Sequence, residues 1–263
     1  MSMRTSLSLS DVSVQYGAAY ALRDVDLEVR CGQVVGLIGP NGAGKTTMID
    51  AITGFVPSTG KTVLGDVPLT GLPPHARVHL GLSRTWQTAE LFEDLTVAEN
   101  LSVATSQERW WSACAGLFRR GKGEDQAVTD ALDRFGVPEL ADTMPASLTE
   151  GQRKLVAVAR ALVASPTVLC LDEPAAGLDT AESADLGQRL RGLIDDSTSI
   201  LLIDHDMGLV LSVCDYLYVL DFGRIIASGT PMDIRRDPEV IKAYLGSTAA
   251  SAAVEESEAV SRD

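Results

Sequence analysis

The residues best suited to chemistry form a glycine-rich stretch, GPNGAGKTT, at positions 39–47. It fits the pattern G-x-x-x-x-G-K-[ST], follows the apolar run VVGLIG (34–39) and opens a helical pattern, which is the context that a phosphate-binding loop requires. Its glycines let successive backbone N–H groups turn towards phosphate oxygens, and the helix dipole adds positive potential. We expect Lys45 to reach the terminal phosphates of a nucleotide and the Thr46 hydroxyl to bind Mg²⁺. The predicted phosphate-binding residues are Asn41, Gly42, Ala43, Gly44, Lys45, Thr46 and Thr47. The alternative is a glycine-rich turn without a ligand.

Two carboxylates end a second apolar run, TVLCLDEP (167–174). In sites of this class one carboxylate supports Mg²⁺ and another polarises the attacking water. We therefore predict these roles for the pair Asp172 and Glu173. The alternative is that the two acidic residues cap the next helix. A GTP-specific site would need an N-K-x-D motif, and neither Asn41 nor Asn100 begins one.

Strands and helices alternate along most of the chain, which predicts an α/β fold with a largely parallel sheet. Alternating apolar residues predict strands near 12–16 and 25–29. The stretch 91–163 is mostly helical in pattern and interrupts the alternation as an insertion. The tail 249–263 is small, polar and acidic, and we predict that it is disordered.

The composition excludes several classes of protein. The 263 residues carry a formal net charge of −14, which argues against nucleic acid as the main partner. We find neither a signal peptide nor an apolar run of the roughly 20 residues that cross a membrane. The four cysteines show no C-x-x-C spacing and are predicted to be free thiols; they are Cys31, Cys114, Cys170 and Cys214.

Taken together, the motifs resemble those of the ATP-binding cassette (ABC) ATPases over about residues 7–246. Beside the phosphate loop and LCLDEP they include YG with Tyr16, TWQT with Gln87, SLTEGQRK, GLDT with Asp179 and IDHD with His205. The resemblance implies an α/β P-loop NTPase core with a mostly parallel sheet, an N-terminal antiparallel β subdomain and a helical insertion subdomain. It places one ABC nucleotide-binding domain at 1–248, with its helical subdomain at about 90–165.

The resemblance also implies roles for single residues. Tyr16 would stack on adenine, Gln87 would sense Mg²⁺ and the attacking water, and Asp172 would support the metal. Glu173 would be the catalytic base, and His205 would contact the γ-phosphate. Asp179 would lie at the interface between the two subunits of a dimer.

The stretch ASLTEGQRKLVAVARAL (146–162) would begin a helix that faces the ATP held by a second subunit. Thr149 and Gln152 have the spacing of a capping box, and Gly151 keeps a close approach to that ATP free of a Cβ. The family pattern is L-S-G-G-Q, and Glu150 departs from it. The effect of this carboxylate on γ-phosphate binding stays open.

Other stretches resemble more closely the ATPase subunits of branched-chain amino-acid importers. They are RTWQTAELFEDLTVAENL (84–101), DEPAAGLD (172–179), IDHDMGLVLSVCDYLYVLDFGRIIASGTP (203–231) and DPEVIKAYLG (237–246). This resemblance implies a Mg²⁺-dependent ATPase that binds ATP and lies peripherally at the cytoplasmic face of the cell membrane. Its partners would be transmembrane permease subunits and a second ABC subunit, as a homodimer or a paralogous heterodimer. Other subunits of such importers select the cargo, so amino acids, amides and urea all remain open.

Several alternatives remain at this stage. The chain could be a weakly active nucleotide-binding module, as Glu150 suggests, or an ABC ATPase without a transport role. In ELFEDLTV (90–97), the apolar residues Leu91, Phe92 and Leu95 would either contact a permease or lie buried. Trp110 and Trp111, with the basic turn FRRGKG, would contact the membrane subunit or form a solvated turn.

Overall fold

A computed structural model of the chain describes residues 5–86, 90–105, 122–195 and 198–244. The strands are β1 (Thr5–Tyr16), β2 (Ala19–Arg30), β3 (Val34–Ile38), β4 (Thr59–Leu64), β5 (Val67–Pro68), β6 (Leu82–Arg84), β7 (Val168–Asp172), β8 (Ser199–Ile203), β9 (Tyr216–Asp221) and β10 (Arg224–Gly229). The helices are α1 (Lys45–Thr53), α2 (Pro74–His79), α3 (Val97–Thr105), α4 (Lys122–Phe135), α5 (Glu150–Leu162), α6 (Thr180–Gly192), α7 (Met207–Val213) and α8 (Pro231–Ile234). Short 3₁₀ turns occupy Pro138–Leu140 and Pro145–Ser147.

Six strands form the central sheet in the order β10-β9-β3-β8-β7-β6. All neighbours from β9 to β6 pair in parallel, and only the edge strand β10 runs antiparallel, against β9. Every residue of β3, β7 and β8 is buried, as the continuous apolar runs in the sequence require for strands covered on both faces. The predicted α/β class with a mostly parallel sheet is confirmed.

The N-terminal strands form a separate antiparallel sheet in the order β2-β1-β4-β5. Its alternating apolar residues, such as Leu7, Leu22 and Val25, pack in one cluster with Met48 and Ile49 of helix α1. The sheet therefore lies over the helix that follows the phosphate loop. The predicted antiparallel β portion is confirmed.

Helices α3, α4 and α5 pack together around a second apolar cluster, which confirms the helical insertion. One apolar stripe of α4 is buried there; its members are Val128, Ala131, Leu132 and Phe135. Residues 106–121, with Trp110 and Trp111, and the tail 249–263 lie outside the described residues. The domain boundaries stay predictions.

Within the described ranges, none of the helices combines the length and the apolar character needed to cross a membrane. Cys31, Cys170 and Cys214 are free thiols, as predicted, and Cys114 lies outside the described residues.

Candidate active site

The phosphate loop connects the end of β3 to the start of α1 and depends on its glycines. Gly44 has φ 109°, and a Cβ there would lie 2.7 Å from the carbonyl oxygen of Ala21. The loop is also braced from behind, because the N–H of Gly223 donates to the carbonyl of Ala43 at 2.9 Å. Only glycine fits this combination of left-handed backbone and close approach.

Lys45 is a buried cation at the first residue of α1. Its Nζ donates to the carbonyl oxygens of Gly39 at 2.7 Å and Pro40 at 3.0 Å. Burial lowers the pKa of Lys45, and the nearby carboxylates of Glu173 and Asp172 oppose that shift. A desolvated ammonium beside converging backbone N–H groups is suited to phosphate oxygens, because its attraction is weakly screened there.

A cavity of about 400 Å³ opens at this loop. Its lining residues are Tyr20, Ala21, Asn41, Gly42, Gly44, Lys45, Thr46, Thr47, Glu173, Phe222 and Gly223. Every predicted phosphate-binding residue except Ala43 is among them. Ala43 is buried behind the loop.

Tyr16, predicted to stack on adenine, ends β1 outside the lining of this cavity. Tyr16 is 54% exposed, so much of it is accessible to a ligand. Tyr20 and Phe222 are the aromatic residues that line the cavity itself. Phe222 has φ 42° and is 89% exposed, an unusual position for an apolar ring.

Asp172 and Glu173 lie at the carboxyl end of β7, next to the phosphate loop. Asp172 is 4% exposed, and burial raises the pKa of its carboxyl while the guanidinium of Arg84 counteracts the shift. Glu173 has φ 48°, and its N–H donates to the carbonyl of Ile203 at 2.7 Å. Neither residue caps the next helix, because Asp179 caps α6, so that alternative is wrong.

His205 follows β8 on the other side of Glu173. Its Nδ1 lies 3.9 Å from Oε2 of Glu173 and 3.6 Å from Oδ1 of Asp204. Asp204 is buried and accepts hydrogen bonds from the N–H groups of Ala175 and Asp206, so it fixes the loops after β7 and β8 to each other. The structure thus places the side chains of His205 and Glu173 next to each other.

The start of α5 has the predicted capping box. Thr149 Oγ1 accepts from the N–H of Gln152 at 3.2 Å, and Gln152 Oε1 accepts from the N–H of Thr149 at 3.0 Å. Glu150 is the first helical residue and is exposed. Gly151 has a reason within its own chain to lack a side chain, since a Cβ would lie 2.8 Å from Glu182 Oε1.

Asp179 forms a second capping box at the start of α6, with Glu182 as its partner. A cavity of about 260 Å³ lies between the two helix starts and is lined by Thr149, Gly151, Gln152, Leu178 and Glu182, among others. This lining shares no residue with the cavity at the phosphate loop. A single chain therefore keeps the two sets of predicted nucleotide-binding residues apart.

Gln87 lies outside the described residues. After it, Leu91 is buried, Leu95 is half-buried and Phe92 is 53% exposed. Asn100 is fully buried and holds this loop, because its Nδ2 donates to the carbonyls of Phe92, Leu95 and Thr96 while its Oδ1 accepts from the N–H of Phe92. The structure supports surface exposure for Phe92 alone among the three predicted contact residues.

Sequence reasoning missed four residues at the site, which are Tyr20, Arg84, Phe222 and Tyr244. Arg84 is the one with a visible signal, because it is a charged residue at the end of β6, directly before TWQ. Tyr244 forms a hydrogen bond with the backbone of Gly39, and burial raises the pKa of its phenol to about 12. Tyr244 and Gly39 are far apart in the sequence, and a contact between such distant residues leaves no local sequence pattern.

The oxygen atoms that the protein offers at this site fit Mg²⁺ only if substrate phosphates supply further ligands. Among the described residues, no group of three or more His, Cys, Asp or Glu could hold a metal ion alone. The carboxylate of Asp172 and the hydroxyl of Thr46 offer the hard oxygens that Mg²⁺ prefers, and this ion commonly combines one or two protein ligands with substrate phosphates.

Comparison with known proteins adds a family assignment to this geometry. The family described as ABC transporter matches residues 22–176, and the family described as branched-chain amino acid ATP-binding cassette transporter matches residues 224–250. The second match includes Tyr244, which forms a hydrogen bond with the backbone of Gly39.

Two relatives match nearly end to end. The high-affinity branched-chain amino acid transport ATP-binding protein LivG of Escherichia coli (strain K12) is 42% identical over 249 residues, covering 91% of this chain and 97% of LivG. The corresponding protein BraF of Pseudomonas aeruginosa is 39% identical over 251 residues, covering 92% and 98%. Among solved structures, MJ1267, an ATP-binding cassette of an ABC transporter, superposes with a TM-score of 0.83 at 30% identity, covering 92% of this chain and 99% of MJ1267.

Proposed function

The chain belongs to the ABC transporter family, and from that premise we propose that it is the ATP-hydrolysing subunit of a membrane importer. The proposed cargo is a branched-chain or other amino acid, or a related amide, because LivG and BraF are named for branched-chain amino acid transport. The observation that carries the ATPase proposal is the cavity at the carboxyl edge of the central sheet, where Lys45 and Glu173 share one lining. A phosphate-binding cation and a carboxylate in one cavity suit transfer of a terminal phosphoryl group to water.

In the proposed reaction, Glu173 accepts a proton from a water molecule that attacks the γ-phosphorus of ATP. The new P–O bond forms as the bond to the bridging ADP oxygen breaks, so the products are ADP and inorganic phosphate. Lys45 attracts the phosphate oxygens, and Thr46 and Asp172 would hold Mg²⁺. When bound, Mg²⁺ neutralises charge on the phosphates.

The other site residues keep their proposed roles. His205 contacts the γ-phosphate, and its distance of 3.9 Å from Glu173 is compatible with both side chains facing the same phosphate. Tyr16 stacks on adenine, and Gln87 senses the metal and the attacking water. The assignment of Gln87 rests on the motif resemblance alone, and those of Tyr16 and His205 rest also on the exposure of their side chains.

A second ABC subunit, identical or paralogous, completes each site in this proposal. The helix start at Thr149 lies in a different cavity from Lys45, so one chain cannot apply both to the same phosphate as it is folded here. In a head-to-tail dimer, the capped N-terminus of α5 would offer its N–H groups and dipole to the partner's ATP, with Asp179 at the seam.

Transmembrane permease subunits are the second kind of partner that we propose, and they would hold the chain peripherally at the cytoplasmic face of the membrane. Phe92 is a solvent-exposed aromatic ring on a loop that Asn100 fixes in place. Such a rigidly presented ring suits an anchor in a pocket of a partner. ATP-driven closure of the dimer would move this surface and so drive transport.

A weakly active nucleotide-binding module is the second candidate, because Glu150 adds an exposed negative charge where the partner's phosphates would approach. ATPase activity of the purified chain with Mg²⁺, measured over a range of protein concentrations, separates the two. We expect activity per chain to rise with concentration until the dimer saturates. Activity per chain that stays constant down to verified monomer contradicts the composite site, and co-purification of an affinity-tagged chain with a hydrophobic permease tests the transport role.

A further inference from the structure

Arg84, the last residue of β6, is a buried cation between two carboxylates. Its side chain is 6% exposed. Nη1 donates to Oδ1 of Asp50 at 2.6 Å, and Nη2 donates to Oδ2 of Asp172 at 3.1 Å. The guanidinium of Arg84 therefore joins Asp172, the proposed Mg²⁺ ligand, to helix α1, which begins with Lys45.

The same guanidinium also contacts aromatic rings. Cζ of Arg84 lies 3.9 Å from the ring centroid of Trp86 and 5.7 Å from that of Phe55. The two rings pack edge to face with centroids 5.0 Å apart. Stacking of this kind is favourable for arginine, whose planar cation is weakly hydrated.

Trp86 and Phe55 are about half exposed and line an open, mainly apolar groove of about 590 Å³. Arg84 lines the same groove, together with residues of α2, α3 and α5, among them Val78, Ala104, Ala157 and Arg160. Arg84 is thus in contact with the groove through its stacked face and with Asp172 through its Nη2.

The two ion pairs of Arg84 differ in what surrounds them. Asp172 is as buried as Arg84 itself, whereas the Asp50 side chain is 24% exposed. If Asp172 takes up a second cation, its attraction for Arg84 falls and the two cations repel each other at short range. Arg84 then retains Asp50 as an alternative anchor, and a shift towards Asp50 changes its stacking on Trp86.

We propose that Arg84 is a positioning residue that couples Asp172 to the groove, so that binding of Mg²⁺ and nucleotide moves the Trp86 ring and a partner in the groove moves Asp172. The inference rests on the proposed function, which makes Asp172 a metal ligand and supplies a permease as the partner. Thermodynamic linkage makes the effect reciprocal. If bound nucleotide changes the affinity of the groove for its occupant by some factor, the occupant changes the affinity for nucleotide by the same factor.

The test uses Trp86 as an internal reporter. The chain has three tryptophans, so Trp110→Phe with Trp111→Phe leaves Trp86 as the single emitter. Binding of a non-hydrolysable ATP analogue with Mg²⁺ is measured by equilibrium dialysis, and Trp86 emission is measured on the same samples. We expect the emission change to follow binding with the same midpoint, and to be lost when EDTA replaces Mg²⁺.

The decisive variant is Arg84→Gln, in which we expect the analogue still to bind while the emission change is lost. Arg160→Gln is the matched control, because Arg160 lines the same groove but donates to the carbonyl of Glu90; it should keep the emission change. Circular dichroism checks folding, and if Arg84→Gln is unfolded, Arg84→Lys decides, since it keeps the charge without the two-pronged geometry and should weaken the response.

The outcomes separate the inference from the proposed function. Binding without any emission change in the Trp86-only protein overturns the inference, as does an emission change that survives undiminished in Arg84→Gln or Arg84→Lys. Absence of nucleotide binding in the Trp86-only protein and in the unmodified chain alike overturns the proposed function, and the inference falls with it.

Discussion

A Cβ atom added to Gly151 would lie 2.8 Å from Oε1 of Glu182, so the first turn of α5 packs directly against the first turn of α6. The other carboxylate oxygen of Glu182, Oε2, accepts the N–H of Asp179 at 3.1 Å and closes the capping box of α6. A side chain at position 151 therefore displaces a helix cap within the same chain, whatever it does to a partner.

Gly151→Ala should be clearly less favourable to stability in the native background than in the Glu182→Ala background, where it should be stabilising. In the first case, movement of Glu182 loses part of a helix cap, which is worth about 1 kcal/mol. In the second case, the contact is gone and only the helix propensity remains, which favours Ala over Gly by up to about 1 kcal/mol. Urea unfolding of the two single variants and the double variant measures the difference between the two backgrounds. Equal effects of Gly151→Ala in both backgrounds would show that Glu182 is not the obstacle.

Glu150→Gly should change the ATPase rate by less than about fivefold, or roughly 1 kcal/mol. Glu150 is exposed at the first position of α5, where water screens its charge and where a carboxylate also suits the helix dipole. The two effects oppose each other and are both small. Steady-state ATPase assays check this, and a rise of about a hundredfold would instead support the weakly active module.

The sequence was sufficient for the parts of the site that depend on local patterns. The loop before Lys45, the carboxylates after β7 and the capping box of Thr149 are each written in fewer than ten consecutive residues. Local backbone geometry and the period of apolar residues determine such features. The parallel sheet could be predicted as well, because strands and helices alternate along the chain.

The sequence was insufficient where distant segments meet. Arg84 contacts Asp50 and Asp172, which lie 34 and 88 positions away along the chain. Phe222 reaches the phosphate-loop cavity because a tight turn with positive φ projects it there. Burial of Leu91 beside exposed Phe92 depends on how the loop held by Asn100 packs, which no periodicity encodes.

Alkaline pH should destabilise the fold in part through the thiol of Cys170. Burial raises the pKa of Cys170 from 9.0 to about 12. Between these values the unfolded chain loses the proton while the folded chain keeps it, so the stability present below pH 9 falls as the pH rises. The loss is about 1.4 kcal/mol per pH unit for one proton.

Cys170→Val should make this loss less steep, because it removes the titrating group and suits a buried strand. Urea unfolding under reducing conditions between neutral pH and the alkaline range gives the slope. Cys31→Ser is the control, since Cys31 is partly exposed. Burial also raises the pKa of Cys214 to about 12, so part of the decrease should remain in Cys170→Val. An unchanged slope in Cys170→Val contradicts the assignment.

Glu173→Gln should slow hydrolysis by about 10²-fold or more while ATP still binds, which is the usual scale for loss of a general base. The amide keeps the size of the side chain in the cavity but cannot accept the proton of the attacking water. ATP with Mg²⁺ should then hold the dimer closed, as size-exclusion chromatography would detect. Turnover near that of the unmodified chain would assign the base to another residue.

Phe92→Ser and Leu91→Ser should have opposite signatures although the residues are neighbours. Phe92 is exposed, so its replacement should leave unfolding free energy and basal ATPase activity near those of the unmodified chain. Loss of an aromatic ring that the permease would bury should instead lower transport and permease co-purification, by about 2 kcal/mol of binding free energy if Phe92 is a hot spot. Leu91 belongs to the buried cluster of the helical insertion, so a polar residue there should cost about 2–5 kcal/mol of stability, on the scale of a large-to-small core substitution.

The measurements for both variants are urea unfolding, ATPase assays and uptake in membranes that contain the permease. If Phe92→Ser unfolds as readily as Leu91→Ser, the ring serves the fold; if it leaves uptake intact, the permease contact lies elsewhere.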